Sequence, residues 1–190
     1  PNSNEHVTSS MDTALEPLRL ANGPIIKSVT NLDGPPGIES QQDADSAALQ
    51  VINIIKRNNS ADAFVIACFS DPGIYAAREV TNKPVFGIAE SGILTALSLG
   101  SSFGILAILD TSVPRHVRYI RSLGLEKRFA GDLAIGLGVA ELSDEKKTFH
   151  RLLEVGRKLR DNHESSVLIL GCAGMARYRH DLQESLGIPV

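Results

Sequence analysis

Apolar positions along the chain alternate between the spacing of amphipathic helices and the short unbroken runs of buried strands. Thr8 to Leu20 puts Met11, Leu15 and Leu18 on one helical face, with Thr8 as its cap and Pro17 as a kink or early stop. Ile25 to Asn31 reads as a strand leading into the turn Gly34-Pro35-Pro36-Gly37. Ala44 to Arg57 is helical, with Ala44, Ala47, Ala48, Val51, Ile54 and Ile55 as its apolar stripe. Asp62 to Phe69 is almost continuously apolar, as a buried parallel strand is, and Ser70-Asp71-Pro72 then reads as a helix start. Val85 to Ala89 is a short strand, followed by a weak helix from Ser91 to Leu99.

The second half repeats the rhythm. Phe103 to Leu109 is a strand, and Thr111-Ser112-Val113-Pro114 turns into a helix reaching Leu123. Leu133 to Val139 is a strand, Asp144 to Asp161 a helix, and Ser166 to Leu170 a strand running into Gly171-Cys172-Ala173-Gly174. A helix from Arg177 to Leu186 and a last strand, Ile188-Pro189-Val190, close the series. Strands alternating with helices predict an α/β fold with mainly parallel sheets. An α/β lobe normally opens on a strand, yet Pro1 already lies in a polar turn, so both ends read as cut.

Composition narrows the function. In 190 residues, 22 acidic side chains outweigh 19 basic ones, which argues against a nucleic-acid or anionic-membrane surface. No apolar run is long enough to span a bilayer, and no basic, apolar leader opens the chain. Two lone cysteines without a CxxC pair make neither a disulfide scaffold nor a zinc site, and they suit a reducing, cytoplasmic setting. The five histidines show no H-x-x-x-H spacing, and His116, His150 and His180 read as surface residues of polar helices. Arg115, Arg118 and Arg121 recur every three residues and read as a solvent face or an oligomer contact. Glu39 and Glu90 are carboxylates at helix starts or, on the sharper reading, further acid/base groups. Gly34 and Gly37 make no dinucleotide fingerprint.

Cys68 and Cys172, 104 residues apart, share one local context: each ends a strand and precedes a helix start. Ligands of open α/β sheets bind beyond the carboxyl ends of the strands, and a helix N-terminus favours a thiolate. A cysteine from each half could then meet across a cleft. One thiolate would remove a proton next to a carbonyl while the opposite thiol delivers another, and backbone N–H groups would stabilise the enolate. The plain alternative is two inert core cysteines.

Asp62-Ala63-Phe64-Val65-Ile66-Ala67-Cys68-Phe69-Ser70-Asp71-Pro72-Gly73 and Leu170-Gly171-Cys172-Ala173-Gly174-Met175 resemble the two active-site segments of hydantoin and allantoin racemases, in the aspartate/glutamate racemase superfamily. Pro1-Asn2-Ser3, Ile38-Glu39-Ser40, Ala76 to Val80 and Pro84 to Glu90 carry the resemblance along the rest of the chain. It implies two pseudo-symmetric lobes, each a mainly parallel sheet flanked by helices, with the site between them. Residues 1–88 plus 175–190 would form the first lobe and 89–174 the second. It also implies a strand before Pro1 and a helix after Val190. Cys68 and Cys172 match the catalytic cysteines. Asn2 and Ser3 match a turn over the site, and Ile38 a loop that closes on the ring. Phe69, Ser70, Gly171, Ala173 and Gly174 match positions facing the substrate, with Thr111 and Ser112 in the corresponding turn of the second lobe. Leu109 to His116 replaces a more Thr-rich segment, and Ser40 and Ser70 stand where many relatives have Gly.

The implied activity is cofactor-independent racemisation of 5-monosubstituted hydantoins, with allantoin as a candidate natural substrate, in a self-associating protein without metal. A neutral ring needs no ionic clamp. An aspartate/glutamate-type amino-acid racemase would place cationic groups in the cleft. A decarboxylase or isomerase on the same scaffold need not keep both thiols, and a non-catalytic α/β binding module would bind without turnover.

Overall fold

The computed structural model describes all residues, 1–190. Two parallel sheets, each flanked by helices, organise the chain. Asn4, not Thr8, caps the first helix, α1 (Glu5–Ala14), by accepting from the His6 and Val7 N–H groups. A 3₁₀ turn at Glu16–Leu18, with Pro17 inside it, ends the helical path before Leu20. Residues 25–31 form no regular secondary structure and pair with no strand, so the strand expected there is absent. Period-two patterning defines a strand only when a neighbouring backbone answers its hydrogen bonds. This segment is tied instead at Asn31, whose N–H donates to the Asn2 carbonyl and whose amide donates to the Pro1 carbonyl.

Helix α2 (Gln41–Arg57) starts three residues earlier than its apolar stripe suggests, because Ser40 and Asp43 form a capping box. Its Ala44, Ala47, Val51 and Ile55 are buried. Strand β1 (Phe64–Ile66) pairs in parallel with β2 (Val85–Gly87). Between them α3 (Ile74–Glu79) starts after Gly73, whose φ of 75° is a left-handed conformation that suits glycine. The expected helix start at Ser70-Asp71-Pro72 is therefore a turn. Helix α4 (Ile88–Leu99) follows β2 directly, three residues ahead of Ser91. The buried Asp71 explains the early start: its carboxylate accepts the Ala89 and Glu90 N–H groups at 3.0 and 2.8 Å and serves the helix as a remote cap.

The second sheet has order β4-β3-β5. Strand β3 (Phe103–Ala107) lies between β4 (Phe129–Ala134) and β5 (Val167–Leu170), and all five of its residues are buried, as a central parallel strand demands. Helix α5 (Val113–Ser122) joins β3 to β4, and β4 starts four residues before the expected Leu133. Helix α6 (Glu145–Asn162) matches its expected span within a residue. A 3₁₀ stretch, Ala173–Tyr178, precedes α7 (Arg179–Leu186), and the final three residues form no strand. Leu182 and Leu186 of α7 share a core with Leu152, Leu159 and Leu168, so residues 175–190 pack on the second sheet and not on the first. No helix is long and apolar enough to cross a membrane.

Candidate active site

Both cysteines follow carboxyl ends of parallel strands: Cys68 comes after β1 of one sheet and Cys172 after β5 of the other. They line the same cavity, of about 30 Å³, together with Asn2, Ile38, Phe69, Ser70, Ser112, Gly171, Ala173 and Gly174. The structure thus brings the two cysteines, one from each sheet, to the wall of one cavity. Ser3 and Thr111 lie outside the lining. Ser3 bonds the Pro35 carbonyl through its N–H, and Thr111 Oγ1 donates to the Glu39 carbonyl at 3.0 Å. Val7, Ala67, Ile108, Arg115 and Val139 complete the lining; none of them is a site residue on the sequence reading, which puts Arg115 on a solvent face or an oligomer contact. A cavity this small holds a water or two, so its walls must part to admit a five-membered ring.

Closure is built from contacts between the halves. Phe69 leaves the β1 turn and inserts into the core formed by α4, β3 and β5. Glu39, from the loop before α2, accepts the Val139 N–H at 2.8 Å through Oε1. The Gln41 side-chain oxygen accepts from Arg118 at 2.7 Å. Glu39 is thus neither an acid/base group of the cavity nor a cap of its own helix. It holds the N-terminal end of a 3₁₀ turn, Val139–Ser143, in the other half of the molecule. Glu90 is likewise engaged elsewhere, in an ion pair with Arg78.

Each cysteine is half-buried as a residue, with its sulfur enclosed. Burial pushes the Cys68 thiol up, opposed by Arg115 and by hydrogen bonds from Ser70. It pushes Cys172 up to about 12, opposed by the Gly174 N–H. The expectation that helix starts would lower both thiols is therefore corrected. Helix α3 begins only at Ile74, and Cys172 heads a 3₁₀ stretch, so desolvation outweighs the helix-end effect at both sites.

Two further readings need correction. Arg115 is buried, not on a solvent face: its Nε donates to Ser70 Oγ at 2.9 Å, and its Nη1 has no partner. His116 is also buried; its Nδ1 lies 2.7 Å from Asp132 Oδ2, and its ring meets Phe69 edge to face. Burial pushes the Asp132 carboxyl up, against the pull of His116. Ser112 Oγ, on the same wall as Arg115, is a second enclosed polar atom without a partner. Native interiors rarely leave such groups unbonded, so this wall is suited to an oxygen-bearing ligand. His6, His150, His163 and His180 are exposed.

The Asp/Glu/hydantoin racemase family model matches residues 1–190. Hydantoin racemase of a Pseudomonas strain is 34% identical, an alignment covering 100% of this chain and 77% of that protein. Hydantoin racemase of Paenarthrobacter aurescens is 33% identical, over 100% of this chain and 82% of the relative. Allantoin racemase from Klebsiella pneumoniae superposes with a TM-score of 0.90 at 30% identity, covering 100% of this chain and 78% of that one.

Proposed function

Since this chain belongs to the Asp/Glu/hydantoin racemase family and is a racemase, we propose that it inverts C5 of 5-monosubstituted hydantoins, allantoin among them, by proton transfer between Cys68 and Cys172. The observation carrying this reading is the meeting of two cysteines, one from each sheet, in one small cavity. On substrate entry the thiolate of one cysteine takes the C5 proton. The C–H electron pair moves into the ring as an enolate, its charge on the carbonyl oxygen. The thiol of the other cysteine then protonates C5 from the opposite face. The two sulfurs end with exchanged protonation states, so the next turnover runs in the other direction. Ser112 Oγ and the backbone N–H groups of the turns after Cys68 and Cys172 are available to the ring oxygens.

Arg115 is the sole charged side chain among those lining the cavity. An acidic amino acid would present two carboxylates and an ammonium group, and a single guanidinium is a poor match for that set. This supports the neutral ring over the amino-acid substrate. The test is loss of optical activity of single-enantiomer allantoin and a 5-alkylhydantoin in D₂O, with deuterium read at C5. Racemisation with deuterium uptake well above the uncatalysed background supports the proposal. Cys68→Ser and Cys172→Ser each abolish turnover while keeping the native circular dichroism spectrum. Near-normal turnover by either variant would overturn the two-thiol mechanism.

A further inference from the structure

The Arg115 guanidinium is a buried cation without a carboxylate partner. Its residue is 9% exposed, Nε is held by Ser70 Oγ, and Nη1 is enclosed and unbonded. Neither nearby carboxylate bonds the guanidinium. Asp43 accepts from Ser40 Oγ and from the N–H groups of Glu39 and Ser40, and Asp132 meets His116 through Oδ2 while its Oδ1 has no hydrogen-bond partner. Burying an unpaired charge is costly, so the site calls for an anion beside Arg115. The protein can make one from its own atoms. Cys68 lies two residues before Ser70, in the same turn, and lines the same cavity as Ser70 and Arg115. Cys172 has no such cation. It lies on the second-sheet side of the cavity, beside Gly171, Ala173 and Gly174.

We propose that Arg115, acting through Ser70, stabilises the thiolate of Cys68 and so makes Cys68 the first of the two cysteines to ionise. Arg115 is a positioning residue in this scheme. Its consequence for turnover rests on the racemase reading: the base forms on the first-sheet side, and the acid stays on the second. The charged and titratable groups around Cys68 are Arg115 from α5 and Cys172. Around Arg115 they are Arg118 from α5, Asp43 from α2, Asp132 from β4 and Cys68 itself. Substituting Arg115 leaves Asp43 and Asp132 in place and isolates the guanidinium's contribution.

Thiol ionisation is read without substrate, by the pH dependence of iodoacetamide alkylation of the whole chain, each cysteine followed through its own peptide by mass spectrometry. The expected wild-type result is a lower alkylation midpoint for Cys68 than for Cys172. Arg115→Gln raises the Cys68 midpoint by about one pH unit and leaves Cys172 within a few tenths, while Arg115→Lys retains most of the wild-type difference. Ser70→Ala, which removes the link without touching the buried charge, gives a smaller upward shift at Cys68. A wild-type protein in which Cys172 ionises first overturns the proposal, and that result requires no variant to fold. An unmoved Cys68 midpoint in folded Arg115→Gln also overturns it. So does a rise in KM confined to carboxylate-bearing hydantoins with no change at Cys68, which would make Arg115 a substrate anchor instead. Because alkylation needs no turnover, failure here is distinct from failure to racemise hydantoins.

Discussion

Replacing Glu39 with Gln weakens the closed form without changing its shape. The Glu39 carboxylate accepts the Val139 N–H at 2.8 Å, and this bond joins the loop before α2 to the other half of the molecule. A hydrogen bond to a charged group contributes about 1.5–3 kcal/mol net and a neutral one about 0.5–1.5. Half-exposure of Glu39 places the difference near the lower end, at about 1 kcal/mol. If substrate binding is completed by closure over a cavity that now holds only about 30 Å³, that loss falls on the bound state. The expected outcome is a KM for the preferred hydantoin raised about fivefold with kcat little changed, since 1.4 kcal/mol is a factor of ten. Glu39→Ala also leaves the Val139 N–H without its acceptor, and should raise KM about thirtyfold, equivalent to about 2 kcal/mol. Initial rates of optical rotation change against substrate concentration supply both constants. The Glu39 charge also opposes ionisation of Cys172, so the comparison is repeated at several pH values; the latch effect persists in KM across them. A KM within twofold of wild type in both variants, or a fall confined to kcat, would refute the closure argument.

Two other outcomes follow from the same contacts. Gly87→Ala would place a Cβ 2.1 Å from Asp71 Cγ, so the buried carboxylate that caps α4 must move; we expect a loss of about 3 kcal/mol in urea unfolding, and an unchanged midpoint would contradict the packing. Both thiols are pushed up by burial, with Cys172 at about 12, so the form with one thiolate grows as pH rises: kcat/KM should climb by up to about tenfold per unit between pH 7 and 9, and a flat profile there would count against a thiol as the base.

How much of this molecule was legible in its sequence depends on whether the deciding neighbour is near in the chain. The α/β class, the positions of α2 and α6, and the pairing of a strand end with each cysteine all follow from local period and turn chemistry. The segment 25–31 reads as a strand in the sequence but pairs with no other strand, which the local pattern alone cannot reveal. The start of α4 was missed because its cap, Asp71, lies eighteen residues from Ala89 in the chain. His116 could have been placed inside: it sits four residues before the apolar Ile120, on the same helical face, and both are buried.

Arg115 is the most consequential miss, and its signal was also present. The recurrence of Arg115, Arg118 and Arg121 defines a helical face but not what that face meets. Pro114 fixes the N-terminal end of α5 directly behind the turn that carries Ser112. If that turn borders the cleft, the first turn of α5 must border it too, and the arginine there belongs to the site. The same helix turns Arg118 and Arg121 away to solvent. An arginine repeat read as one solvent face thus divides into two exposed side chains and one buried cation, and the division is made by the packing of α5 against the cleft.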